Sequence, residues 1–353
     1  MKTTRNTTGG VDAGRRSLLG AGAGSTFGAV TRRGGAGVLG TLATAVSSGP
    51  SRAQAGFPNR PVKLIVPFPP GQATDIFARM LAEKLLPIWG QNVVVENKGG
   101  GGGVPAMEAV RQAPPDGYTL GMGTSGTIGI NPMVYSKLPY DFARDFAPVT
   151  NVIIAPLVMV AHPSLGIDSI GQLISFAKKN PGKLNYASAG PGASQHMAAE
   201  LFKSRAGVFL VHIPYRGSGP AMTDLLGGQI PLMFDSVSSA LPHIQSGRLK
   251  ALGVATAKRV SALPNVPAIS EVIPGFEATG WAGMIVPKAT PPELVAKISA
   301  DVQAILRDPA VAAEIERRGS IADPMTPKRF GDFVAAENKK WGEVARIANV
   351  KLD

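Results

Sequence analysis

Three short stretches rich in Gly, Ser and Thr each lie between an apolar run and a helix-like run. Their residue types suit the holding of an anion. They are Pro70-Gly71-Gln72-Ala73-Thr74-Asp75, Gly123-Thr124-Ser125-Gly126-Thr127 and Ala189-Gly190-Pro191-Gly192-Ala193-Ser194. The first N–H groups of a helix lack intrahelical acceptors, and the helix dipole favours negative charge there. Small side chains let a carboxylate or phosphate approach those amides. Any one loop alone reads first as ordinary helix capping by Thr74, Asp75 or Ser194; three in one chain favour a ligand site. Asp235-Ser236 ends another apolar run, where the carboxylate suits a ligand amine or hydroxyl, or caps the next helix. His196 opens the helix after the third loop, a place better suited to a structural role than to catalysis. Arg216, in Tyr215-Arg216-Gly217-Ser218-Gly219, suits either a ligand carboxylate or solvent.

Catalytic constellations are absent from the sequence. There is no G-x-S-x-G elbow, no H-E-x-x-H and no Walker A loop. The four histidines, His162, His196, His212 and His243, lack metal-ligand spacing, and there is no cysteine. We therefore expect no metal, no cofactor and no catalytic residue. Gly101-Gly102-Gly103-Val104-Pro105-Ala106 formally fits a dinucleotide-binding turn, but no acidic residue stands at the offset that would bind a ribose.

The elements that must position these loops follow from periodicity. Apolar, β-branched runs predict strands over residues 62–67, 92–97, 118–123, 152–161, 184–188, 209–213, 230–234, 249–255 and 281–287. Helical spacing predicts helices over 76–85, 104–112, 169–180, 194–205, 221–226, 238–246, 291–306, 309–317 and 327–348. Alternation of strand, loop and helix is the pattern of an α/β fold with a largely parallel sheet. It predicts two α/β lobes, with the C-terminal helices returning to the first. Ligands of open α/β sheets bind beyond the carboxyl ends of strands, where the three loops fall.

The chain has 353 residues, enough for about two domains. Its formal charge of +12 invites a nucleic-acid reading until the charge is located. Residues 1–55 hold seven basic residues, Lys2, Arg5, Arg15, Arg16, Arg32, Arg33 and Arg52, against Asp12 alone, which is half of the net charge. Basic pairs, Gly/Ala-rich apolar runs and the small-residue site Ala53-Gln54-Ala55 together predict a cleaved export signal. Arg15-Arg16-Ser17-Leu18-Leu19 fits a twin-arginine address; the alternative is that Arg32-Arg33 forms the basic region behind a later start. The apolar runs are shorter than the ~18 residues a membrane span needs. The basic pairs that remain, such as Lys178-Lys179, Arg317-Arg318 and Lys339-Lys340, are scattered and lack interleaved aromatics, which argues against nucleic acid.

A family resemblance adds to this reading. Leu64-Ile65-Val66-Pro67-Phe68-Pro69-Pro70-Gly71 with Thr74-Asp75, then Val95-Glu96-Asn97 and Pro115-Asp116-Gly117-Tyr118-Thr119-Leu120, resemble the tripartite tricarboxylate transporter receptors. These are the Bug-type, TctC-like periplasmic solute-binding proteins. The similarity continues through Leu138-Pro139-Tyr140-Asp141, Asp145-Phe146, Pro181-Gly182-Lys183-Leu184-Asn185-Tyr186-Ala187-Ser188 and Ser194-Gln195-His196. Val211-His212-Ile213-Pro214-Tyr215, Asp224-Leu225-Leu226-Gly227-Gly228, Met233-Phe234-Asp235, Leu263-Pro264, Pro267 and Pro274-Gly275-Phe276 complete it.

The resemblance implies a two-lobed periplasmic binding protein fold of type II. Residues 57–155 and 280–353 would form lobe 1 and residues 156–279 lobe 2, joined by two crossovers with a ligand cleft between. It implies capture of a small carboxylate by Phe68, Pro70, Gly71, Ala73 and Asp75 in lobe 1 and by Ser188, Gly190, Ser194 and His196 in lobe 2. Asp235 would act as a discriminator, and Gln72, Thr124 and Ser125 complete the expected ligand set. Gln72 departs from the family, which commonly has a second Gly there. The implied partners are membrane permease subunits of a tripartite tricarboxylate-type transporter, serving a monomeric receptor. A sensor signalling to a membrane kinase, or a carboxylate-processing enzyme on the same scaffold, are the alternatives. Without a cysteine for lipid attachment, the exported chain is expected to diffuse in a periplasm.

Overall fold

A computed structural model describes residues 56–352. The basic segment over residues 1–55, with its expected export role, lies outside the described residues. In chain order the elements are β1 (Val62–Val66), α1 (Ala73–Trp89), β2 (Val93–Asn97), α2 (Val104–Arg111), β3 (Thr119–Thr124), α3 (Asn131–Val134), α4 (Phe142–Asp145) and β4 (Phe146–Ala161). There follow α5 (Ile170–Lys179), β5 (Asn185–Ser188), α6 (Ser194–Ala206), β6 (Val211–Pro214), α7 (Ser218–Leu226), β7 (Leu232–Ser236), α8 (Val237–Gln245) and β8 (Lys250–Val254). The last are β9 (Thr279–Pro287), α9 (Pro292–Arg307), α10 (Pro309–Arg317), β10 (Ile321–Ala322) and α11 (Pro327–Ile347). No helix among them is long and apolar enough to cross a membrane.

The strands order as β2-β1-β3-β9-β4-β7-β5-β6, with β8 and β10 also on β4. Pairings β1–β2, β1–β3, β5–β6 and β5–β7 are parallel, as the alternating pattern predicts. The expectation of a largely parallel sheet is corrected at the centre, where β4 and β9 pair antiparallel with each other. β9 also runs antiparallel to β3, and β4 to β7, β8 and β10. The cause is β4, whose residues 146–156 pair with β9 while residues 157–161 pair with β7, so one strand serves both halves of the sheet. Periodicity predicts this strand only from residue 152. Its first turn-prone residues, Pro148 and Asn151, sit at register shifts, where a bulge tolerates what a regular ladder would not.

Each half is covered on both faces. In the first half, Phe77, Leu81 and Leu85 of α1 pack with Ile298 and Val302 of α9 and Ile315 of α10 over Leu64, Leu120 and Met284. Opposite them, Met107 and Val110 of α2 meet Ile285, Trp281 and Phe330. In the second half, Phe202 of α6, Leu173 of α5, Phe234 and Phe276 form one core. Leu225 of α7, Leu241 of α8, Val158 and Met233 form the other. The last helix joins the halves: Phe330 and Val334 belong to a first-half core, Trp341 and Val344 to a second-half core. Glu337 ties it down, since its Oε2 accepts from Trp281 Nε1 at 2.7 Å and from Trp341 Nε1 at 2.9 Å.

Close packing of α11 on β9 depends on a missing side chain. A Cβ built on Gly283 would lie 2.2 Å from Phe330 Cζ, inside a fully buried cluster. Gly283→Ala is therefore expected to destabilise the protein by about 1–3 kcal/mol, read as a lowered urea midpoint. Combining it with Phe330→Leu should recover part of the loss. An unchanged midpoint in the single variant would show that α11 yields freely.

Candidate ligand-binding site

The carboxyl ends of β1, β3 and β7, the start of α6 and the centres of β4 and β9 converge on one small cavity of about 30 Å³. Its wall is built from Phe68, Gln72, Ala73 and Thr74 at the β1–α1 turn, and from Thr124, Ser125 and Gly126 after β3. Ile153, Ala155 and Leu157 of β4, Ser194 and Gln195 of α6, Ser236 at the end of β7, and Gly280, Trp281 and Ala282 of β9 complete it. None of these side chains is ionisable. The polar part consists of amides and hydroxyls, and the floor is aliphatic and indole.

Two long helices, one from each half of the sheet, start at this wall without a side-chain cap. α1 follows Gln72 and α6 follows Ala193, and neither residue's side chain bonds the first turn. The expectation that Thr74, Asp75 or Ser194 caps these helices is thereby corrected, for all three lie inside the first turn. By contrast α5, α8, α10 and α11 are capped by Ser169, Ser236, Asp308 and Thr326. Backbone bonding of α1 begins with Ile76 N–H to the Gln72 carbonyl, and of α6 with Met197 N–H to the Ala193 carbonyl. The N–H groups of residues 73–75 and 194–196 precede those bonds and give both helix ends donor capacity and positive potential.

The loop after β3 is shaped differently. Residues 125–130 form a π-helical turn closed by reciprocal bonds, Thr124 N–H to Thr127 Oγ1 at 2.9 Å and Thr127 N–H to Thr124 Oγ1 at 3.2 Å. Tyr140 Oη donates to the Thr127 carbonyl at 2.6 Å, and Asn338 Nδ2 donates to the carbonyls of Ile128 and Gly129. Single-turn π geometry is frequent at functional sites. Here it presents Thr124 and Ser125 to the cavity and leaves Thr127 behind them.

Loops from the two halves meet around the cavity. A Cβ on Gly217 would strike Pro69 Cδ at 2.4 Å, and one on Gly126 would sit 3.5 Å from the Gly192 carbonyl oxygen. The approach at Gly217 needs bare backbone, whereas that at Gly126 is ordinary van der Waals contact.

Of the residues singled out from the sequence, Phe68, Gln72, Ala73, Thr124, Ser125 and Ser194 line the cavity together. The others do not. Pro70 and Gly71 are exposed. Gly190 borders a second recess of about 230 Å³ that shares Phe68 with the cavity and includes the exposed Arg216. Asp75, Ser188, His196 and Asp235 stand one layer back, where they fix the wall.

Asp75 accepts from Gly71 N–H at 3.0 Å and Asn97 Nδ2 at 2.9 Å, with Arg79 Nη2 2.9 Å away. Burial works to raise its pKa, but the Arg79 side chain, the Gly71 N–H and the Asn97 amide outweigh burial, so the carboxyl lies below its ordinary value. Asn97 Nδ2 also donates to the Phe68 carbonyl at 2.8 Å, which locks the turn.

Asp235 is fully buried. It accepts from Ser218 Oγ (2.9 Å), Gln195 Nε2 (3.4 Å), Ser236 N–H (2.8 Å) and Ser239 Oγ (2.6 Å). Burial pushes this carboxyl up, against those four donors. It holds Gln195 and Ser236, which reach the cavity, so it supports the wall without entering it.

Ser188 Oγ meets His212 Nε2 at 2.6 Å and accepts from Gly190 N–H at 3.1 Å. His196 stacks on His212 with centroids 4.2 Å apart, and its Nδ1 accepts from Gly192 N–H at 3.4 Å. Tyr186 stacks on the other face of His212, and its Oη donates to Glu200 Oε1. This cluster shapes the loop before α6. Ser188 is wholly buried behind the wall.

Gln195, Ser236 and Trp281 were not singled out. Gln195 stands between two residues that were, and Ser236 follows Asp235, so chain neighbours carried the signal; Trp281 reads simply as the start of an apolar strand. Among the described residues no group of three or more His, Asp or Glu is placed to hold a metal ion.

A mixed sheet with parallel outer portions, shared central strands and a cavity between loop clusters is the frame that solved periplasmic solute-binding proteins share. A solved periplasmic binding protein, BugD, has that architecture at TM-score 0.79 and 36% identity, over 84% of this chain and 99% of BugD. R. palustris Rpa4515 with adipate matches at TM-score 0.82 and 34% identity, over 84% and 99% of the two chains. MatC from Rhodopseudomonas palustris with bound malate matches at 0.77 and 31%, over 82% and 99%. The family model described as tripartite tricarboxylate transporter family receptor matches residues 77–350. This chain belongs to that receptor family.

Proposed function

We propose that this receptor captures a small organic carboxylate in the cavity and presents the closed, loaded form to the membrane subunits of a tripartite transporter. The observation that carries the reading is the pair of uncapped helix starts, α1 and α6, which aim at one neutral wall from opposite halves of the sheet. Their N–H groups and dipoles supply what a carboxylate needs, and two solved relatives hold adipate and malate. The working units would be residues 57–155 with 280–353, and residues 156–279, moving about β4 and the start of β9. A cavity of about 30 Å³ has room for about two waters, so a multi-carbon acid enters only when the halves part. The ligand touches both halves together in the closed form, so it shifts that equilibrium by its differential affinity. Export by the segment over residues 1–55 into a periplasm, a monomeric state and the absence of turnover belong to the same proposal.

The test is a thermal-shift and titration screen of mono-, di- and tricarboxylates, with Trp281 as an internal probe because the residue belongs to the cavity wall and its indole is bonded to Glu337 behind it. A binding acid should raise the melting temperature and change the indole emission, and Trp281→Phe should remove most of the emission change. The acid should be recovered chemically unaltered. Absence of any stabilising carboxylate would overturn the reading, and turnover would replace it with an enzymatic one.

A further inference from the structure

Among the described residues, four buried side-chain polar atoms lack a hydrogen-bond partner, and Gln72 Oε1 is the only one whose residue lines the cavity. Gln72 is 6% exposed. Its backbone, at φ −83° and ψ 156°, leads into α1, and its side chain makes no bond to the helix it precedes. Its Nε2 has no intramolecular partner either. An enclosed, unpaired amide oxygen costs stability and is retained where something else satisfies it.

The surrounding groups say what that something must offer. The helix starts of α1 and α6 are donors, suited to carboxylate oxygens. A carboxylate has no donor of its own and meets Oε1 oxygen to oxygen. A side-chain amide presents an acceptor and a donor side by side. A 2-hydroxycarboxylate presents the complement, a carboxylate oxygen and, one carbon away, a hydroxyl that can donate. A 2-ammonium group would donate too, but it brings a charge for which this wall has no ionisable partner.

We infer that Gln72 is the specificity-determining residue of this site, and that it selects 2-hydroxycarboxylates over the same acids without the hydroxyl. The inference rests on the carboxylate-capture reading above. Nε2 donates to the carboxylate, and the hydroxyl donates to Oε1.

The experiment is calorimetric titration of the purified protein with matched pairs: lactate and propionate, malate and succinate, 2-hydroxyglutarate and glutarate. Adipate and citrate serve as further carboxylates. At least one hydroxy acid should bind about tenfold or more tighter than its partner, since a site built to bond a hydroxyl rejects the analogue that lacks it. In Gln72→Met and Gln72→Gly the preference should fall to within about twofold. Both variants remove no internal hydrogen bond, and the ligand-free Gln72→Met protein should melt higher than wild type, because an orphaned buried oxygen has gone. A wild-type protein indifferent to the hydroxyl, or a preference that survives in both variants, overturns the inference and leaves carboxylate capture standing. Failure of every acid to bind overturns both.

Discussion

Asp235→Ala should lower stability by about 2 kcal/mol or more and abolish ligand binding, although the residue does not line the cavity. Removal of the carboxylate leaves Ser218 Oγ and the Ser236 N–H without their acceptor in a buried site, while Gln195 Nε2 keeps Ser218 Oγ and Ser239 Oγ keeps Ser236 as partners. Each buried donor left unpaired costs about 1–3 kcal/mol. Gln195 and Ser236 then lose the group that orients them, and both belong to the cavity wall. Asp235→Asn keeps the shape and one acceptor oxygen but turns an NH2 towards hydroxyls and an N–H, so it should fall between wild type and alanine. Urea unfolding at constant slope, with titration of a bound acid, reads both effects. A wild-type midpoint for the alanine variant would mean that Ser218 Oγ and the Ser236 N–H find other partners.

Through two buried imidazoles acid should weaken the protein above the ordinary carboxylate range, opposed among the described residues by Asp235 alone, whose raised pKa favours the folded state as pH falls. Burial, with the nearby Lys203 charge, holds the His196 pKa down to about 4. Burial first, and the adjacent His196, hold His212 down to about 3, against the opposing pull of Glu200. In the unfolded chain a histidine titrates near 6.5. Both values are depressed on folding, so the unfolded state binds more protons below pH ~6.5. The stability contribution is complete above that pH and is lost as pH falls towards the folded values. Two protons give a slope approaching about 3 kcal/mol per pH unit. The depressed carboxyls, Asp75 and Glu271 among them, act only at lower pH, near and below about 4.5. Urea midpoints at pH 7.5, 6 and 5 should therefore fall, and His212→Phe, which keeps a ring in the stack, should flatten the fall. A midpoint independent of pH between 7.5 and 5 would contradict the buried neutral pair.

Most of the secondary structure was legible in the sequence, because strands such as Val62–Val66 and helices such as Ala73–Trp89 announce themselves by period and by flanking Pro and Gly. The antiparallel centre was not, because pairing direction leaves no trace in a strand's own residues. The early part of β4 was hidden by Pro148 and Asn151, which a bulge accommodates. At the site, the three loops singled out by their chemistry meet at the cavity, while Asp75, Ser188, His196 and Asp235 stand behind its wall rather than in it. Polar residues at strand ends and helix starts serve equally as wall and as brace, and their type does not say which. In α6 the three successive residues Ser194, Gln195 and His196 differ by about 100° in direction. The first two reach the cavity, and the histidine turns back onto His212.

The neutral wall has an electrical consequence. With no ionisable side chain in contact, a captured anion is balanced by fixed backbone dipoles rather than by a counter-charge on the protein. On the proposed reading no wall group is there to take up or release a proton on loading, so binding of an anion should be independent of pH so far as the wall is concerned. Because the dipoles are buried, salt in the surrounding medium screens them little, and retention of cargo is insensitive to ionic strength.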